Sequence, residues 1–196
     1  MSKKQKKKAV LKNKRQVNTY AEMWYCSRVM LYNGQEHKNG SYWQFMASLL
    51  FTALTMEAYL NHIGSKLFKC WKDVENLSPP NKLKLICEML KIDADYSKRP
   101  YQSIKLLFKF RNDVAHGKSV KIKSDKQIQY FDKDLDVIMK KPVSTSWERY
   151  STEKNALMCR EDIEKIIREL HDKAGIVNDP VFFPGMTFGS VSSIHE

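Results

Sequence analysis

Arg111 and His116, five positions apart, are the residues of this 196-residue chain whose types and spacing come nearest to a reactive site. They stand in the run Arg111-Asn112-Asp113-Val114-Ala115-His116-Gly117, at the end of an apolar-periodic segment. A helix turns about 100° per residue, so Asn112 and His116 share a face. Arg111 lies to one side, with a side chain long enough to swing round, so that a guanidinium, an amide and an imidazole can converge on one spot. His116 falls in the last turn before Gly117, where unsatisfied carbonyls and the negative end of the helix dipole favour the imidazolium form. It is placed to give a proton as well as take one. An Arg that holds two phosphate oxygens beside such a His is the minimum equipment for transesterification of RNA, in which a 2′-OH attacks the adjacent phosphorus and the 5′-oxygen leaves. That chemistry requires no metal or cofactor. The same residues also suit a structural role, in which Arg111 pairs with Asp113, Glu57 or another acid and His116 caps its own helix.

The elements that must position these groups are legible as periodic apolar runs. Tyr20, Met23, Trp24, Val29, Met30 and Leu31 predict a helix between Val17 and Tyr32, stopped by Asn33-Gly34. The strongest helix runs from Ser41 to about Phe68 or Trp71, with Phe45, Leu49, Ala53, Leu60, Ile63 and Leu67 at steps of about three to four. Ser78-Pro79-Pro80-Asn81 breaks the chain before a short helix over Leu83, Leu85, Ile86, Met89 and Leu90. A fourth helix begins after Pro100, carries Ile104, Leu107 and Phe108, and ends at Gly117. The last spans about Arg160 to Ala174, where Glu161, Glu164 and Glu169 each precede a base by four residues. The sum is an all-α fold, an up-and-down bundle of about four to five helices spanning residues 17–175. Residues 118–156 form a poorly periodic insertion, and residues 176–196 an extended tail that packs onto the body or a partner.

Composition narrows the function classes. Hydrophobic residues make up 42% and charged residues 29%, enough apolar surface for a packed core. Of the formal charge of +12, eight basic groups fall in the first fifteen residues, and no acid precedes Glu22. Residues 1–16 therefore read as a disordered basic tail that attracts polyanions. Cys26, Cys70, Cys87 and Cys159 are too far apart for a Cys-x-x-Cys motif, and no secretory apolar segment follows the basic N-terminus, so a cytoplasmic setting is expected. The apolar run from Tyr42 to Leu60 is crossed by Gln44, Ser48, Thr52 and Thr55 on one face, which suits a buried bundle helix rather than a membrane span. His37, His62, His171 and His195 have no His or Cys neighbour at ligand spacing, and Asp132-Lys133-Asp134-Leu135-Asp136 lacks the Gly and Glu of a calcium loop, so no metal site is expected.

At Arg111, Asn112 and His116 the chain resembles the HEPN superfamily of helical-bundle domains, whose motif is Arg, usually a polar residue, three to five others, then His. The stretch from Phe110 to Gly117 and the earlier helix with Ala53, Glu57 and Asn61 are similar to its members. The resemblance implies a homodimer that brings two motifs together in one composite cleft, a second His supplying the role that one His cannot fill twice in a turnover. It implies that Arg111 holds the phosphate, His116 exchanges protons, Asn112 orients the phosphate or the His, and Glu57 positions Arg111. Many members are metal-independent endoribonucleases acting in toxin–antitoxin, phage-defence or RNA-processing roles, some with an antitoxin or other partner protein; others only bind RNA or a nucleotide. Some toxin members carry a Tyr two residues after the His, where this chain has Lys118. Lys118, Lys121, Lys123 and Lys126 are basic enough to guide an RNA backbone toward the cleft. They equally suit an ordinary solvated loop.

Overall fold

The longest apolar run in the sequence becomes the helix around which the others pack. The computed structural model describes residues 9–123, 143–177 and 179–193. Its helices are α1 (Thr19–Glu36), α2 (Ser41–Leu67), α3 (Trp71–Val74), α4 (Pro79–Met89), α5 (Gln102–Ala115), α6 (Ser146–Tyr150) and α7 (Glu153–Lys173), with strands β1 (Ala9–Arg15) and β2 (Thr187–Ser193). The described chain is therefore mostly helical. α2 touches α1, α3, α4, α5 and α7, and buries Leu49, Ala53, Met56, Leu60 and Ile63 completely.

Ser48 and Thr52 of the polar stripe face α1. The Ser27 hydroxyl donates to the Ser48 carbonyl at 2.9 Å, and the Ser48 hydroxyl donates back to the Ser27 carbonyl at 2.9 Å. The Thr52 hydroxyl lies 2.6 Å from that of Ser27. All three side chains are buried, so each needs a partner inside the protein. Among the described residues, no helix is long and apolar enough to cross a membrane.

Gly34 does not end α1, which continues to Glu36. Its helical role is a close approach: an added Cβ would fall 2.7 Å from the Phe45 ring of α2. The last helix also begins earlier than its spacing predicts, at Glu153, because the Thr152 hydroxyl accepts from the Asn155 N–H and caps it. Of its three expected acid–base pairs, Glu164 meets Arg168 at 2.7 Å. Glu161 turns instead to Arg99, and Glu169 accepts from the Tyr101 hydroxyl. Beside them Asp162, fully buried, holds Arg99 Nε at 2.8 Å and the Ser103 hydroxyl, tying the start of α5 onto α7.

The two tails depart most from expectation. Ala9–Arg15 is not disordered but pairs antiparallel with Thr187–Ser193, with Leu11 opposite Val191 and Lys14 opposite Phe188. This small sheet adds two strands to a fold that is otherwise helical among the described residues, as the all-α expectation had it. A basic segment that cannot bury apolar surface alone gains backbone hydrogen bonds from a strand remote in sequence. Residues 1–8, with Lys3, Lys4, Lys6, Lys7 and Lys8, lie outside the described residues, as do Lys126, Asp132–Asp136 and His195. Ahead of β2, the C-terminal segment packs onto the body as expected. Phe182 stacks on Trp24 at 4.5 Å, and Asp179 meets Lys66 Nζ at 2.6 Å and His62 Nε2 at 3.0 Å.

Two outcomes follow from this packing. An added Cβ at Gly64 would fall 2.3 Å from the ring of buried Trp71, so Gly64→Ala should lower stability by about 1–3 kcal/mol in urea denaturation. Burial, reinforced by Lys66 and His171, holds the His62 imidazole below its ordinary value of 6.5 against the opposing pull of Asp179. The unfolded chain then binds the proton more readily, so the stability from neutral His62 is complete above about 6.5 and is lost as pH falls through the folded value. Burial alone would raise the Asp179 carboxyl, but Lys66 and His62 draw it below its ordinary 3.8, which adds a loss of the same sign at more acidic pH. Urea midpoints measured from pH 7 down to 5 should fall, and His62→Asn should flatten that slope.

Candidate functional site

α5 is fixed in rotation by its apolar face. Ile104, Leu107, Phe108 and Phe110 are buried, which turns Arg111, the next residue, toward α2. There its Nη2 donates to the Glu57 carboxylate, while Nη1 donates to the Asn112 side-chain carbonyl at 2.9 Å. The Arg111 and Glu57 side chains are 20% and 26% exposed, so water screens the pair only partly. A guanidinium carries five N–H donors, and these two contacts leave others for a phosphate. Of the acids that the sequence offered, Arg111 takes Glu57. Asp113 is held instead by Lys109 at 2.6 Å and lies 3.4 Å from the Ser146 hydroxyl.

His116 is the residue immediately past the last helical position of α5, its N–H donating to the Asn112 carbonyl at 2.9 Å. Its side chain is exposed and makes no hydrogen bond or ion pair among the described residues. Asn112 thus connects the two: its amide braces Arg111, and its backbone carbonyl holds the start of the His116 turn. The side-chain bond goes to the guanidinium rather than to the imidazole.

Asn112, His116 and Lys118 line an open groove of about 540 Å³, with Ser146 and Trp147 of α6 also in its wall. Arg111 stands beside this groove, joined to it through Asn112. Lys121 and Lys123 are exposed on the chain that leaves the groove and do not line it. The α6 wall was not apparent from apolar periodicity, yet it carried a local signal. Thr145 and Glu148 form a capping box, with the Glu148 N–H bonded to the Thr145 hydroxyl at 3.2 Å and the Glu148 carboxylate accepting the Thr145 N–H at 2.6 Å. Tyr150 then seats α6 against α5 through Phe110, with ring centroids 5.6 Å apart.

Thiol chemistry does not compete at this site. Burial pushes the Cys87 and Cys159 thiols up to about 11, so both stay protonated near neutral pH. No family model, curated protein or solved structure matches the chain.

The Arg111–Glu57 pair bears directly on stability. Arg111→Ala would leave a largely shielded carboxylate without its partner, so it should cost about 1–3 kcal/mol of stability. Glu57→Ala should cost a similar amount, and the double variant less than the sum of the two in urea denaturation. His116→Ala, at an exposed position, should stay within about 0.5 kcal/mol of the parent.

Proposed function

We propose that this protein is a metal-independent endoribonuclease of HEPN type, acting as a homodimer. The observation that carries the reading is a guanidinium braced by Glu57 and Asn112 beside an open groove that exposes an imidazole with no bond to the other described residues. In this reading α1, α2, α5 and α7, with the shorter α4, are the four- to five-helix bundle of that superfamily. Arg111 binds the phosphate that is attacked and stabilises the charge that builds on its oxygens. His116 takes the proton of the 2′-OH as that oxygen bonds to phosphorus. The bond from phosphorus to the 5′-oxygen breaks, and the departing oxygen is protonated by the second His116 of the dimer. The products are a 2′,3′-cyclic phosphate and a free 5′-OH. Lys118, Lys121, Lys123 and the basic N-terminal residues draw the RNA backbone to the groove. A toxin, phage-defence or RNA-processing role in the cytoplasm, with an antitoxin or other partner protein, belongs to the same reading.

The test is incubation of purified wild type and His116→Ala with end-labelled, mixed-sequence RNA in EDTA. Wild type should yield fragments with cyclic phosphate ends, and His116→Ala should be slower by about a hundredfold or more with an unchanged denaturation midpoint. Equal cleavage by both proteins would remove His116 from the chemistry. Binding without cleavage by either would leave a non-catalytic RNA- or nucleotide-binding module.

A further inference from the structure

A second cavity lies along α5 next to the groove of His116. It encloses about 340 Å³ and is walled by Pro79 and Pro80 at the start of α4, by Tyr96, and by Ile104 and Phe108 of α5. Lys105, Lys109 and Asn112 also line it, and the last two line the groove of His116 as well. Positions 104, 105, 108, 109 and 112 fall on one face of α5, so the two cavities adjoin along that helix.

We propose that this cavity holds one unpaired nucleobase of a single-stranded RNA whose adjacent phosphate lies at Arg111 and His116. The inference rests on the preceding reading and names the form of its substrate. Three features carry it. The walls are proline rings, an aliphatic chain and two aromatic rings, which suit a flat apolar ring better than a charged group. Among the described residues, no carboxylate lines the cavity. Lys105 makes no ion pair among the described residues and suits a ligand that arrives on a polyanion, whereas Lys109 is engaged by Asp113.

Tyr96 is the platform. It is 42% exposed, so one part of its ring remains available. Its position is braced by buried Tyr101, whose ring meets it edge-on at 5.7 Å, and the Tyr101 hydroxyl is in turn bonded to Glu169 of α7 at 2.9 Å. A ring held in this way loses little freedom when a base stacks on it. Burial pushes the Tyr96 phenol up to about 12, so its hydroxyl keeps its proton and can donate to a base carbonyl or ring nitrogen. A base within a duplex is stacked between its neighbours and cannot enter such a cavity, which is why the substrate is single-stranded at this position.

The test uses two fluorescent probes of equal length that cannot be cut: a 2′-O-methyl oligonucleotide and an abasic sugar-phosphate oligomer. Wild type should bind the first about tenfold or more tightly than the second in anisotropy titrations. Tyr96→Ala should abolish that preference while leaving affinity for the abasic oligomer unchanged, and Tyr96→Phe should restore it. Tyr96→Leu, which keeps apolar volume without a ring, takes the place of Tyr96→Ala if the latter fails to fold. Equal binding of both probes by wild type would overturn the proposal. So would a preference that survives in the alanine or leucine variant, or an equal loss of affinity for both probes. Cleavage is not part of this readout. A Tyr96-dependent base preference without RNA cleavage keeps the pocket and ends the nuclease reading; His116-dependent cleavage without a base preference does the reverse.

Discussion

Most of the polar groups that α2 turns toward its neighbours find partners there, because a buried donor or acceptor left alone costs about as much as several good contacts return. That constraint organises the molecule. Ser48 and Thr52 meet Ser27 of α1. Glu57 takes Arg111 of α5, and the Tyr59 hydroxyl lies 3.2 Å from His171 Nδ1 of α7. Buried Lys82 of α4 reaches back to Asn61 at 2.7 Å, and His62 meets Asp179 of the C-terminal segment. Five partners come from five separate parts of the chain. Apolar burial alone would tolerate several rotations of each neighbouring helix, whereas a directed bond from each fixes one.

Arg111 consequently serves two ends. Its pairing with Glu57 locks the angle of α5 against α2, and the same lock holds the guanidinium still beside the groove. In the nuclease reading proposed above, holding the cation in place before a phosphate arrives would lower the cost of binding and of reorganisation during reaction. The carboxylate also removes part of the positive charge that the phosphate would meet, so geometry is gained at some expense in field strength.

The helical core was legible because its signal is local: spacing of three to four along α2, α4, α5 and α7 marks faces without knowledge of their neighbours. Glu57 came forward through the family resemblance, as an acid inside an apolar run, but only the packing of α5 decides that Arg111 chooses it over Asp113. Gly34 was misread for a complementary reason. A glycine signals either a helix end or a close approach, and the Phe45 ring that distinguishes them comes from another helix. The α6 wall of the groove rests on one turn of helix, too short for periodicity, and its capping box is a weaker mark. Tyr96 and the cavity beside α5 had no linear signature, because the cavity joins a proline break, a loop and a helix face.

The β1–β2 ribbon bears on the order in which the chain folds. Leu11 pairs with Val191, so the ribbon closes almost the whole described chain into one loop. Closing so long a loop is entropically unfavourable until something else has drawn its ends together. Helices α1, α2 and α7, joined by shorter-range contacts, supply that approach. Loop-closure entropy therefore favours a ribbon that zips last and parts first when the bundle loosens, a fastener whose closure would report that assembly beneath it is complete.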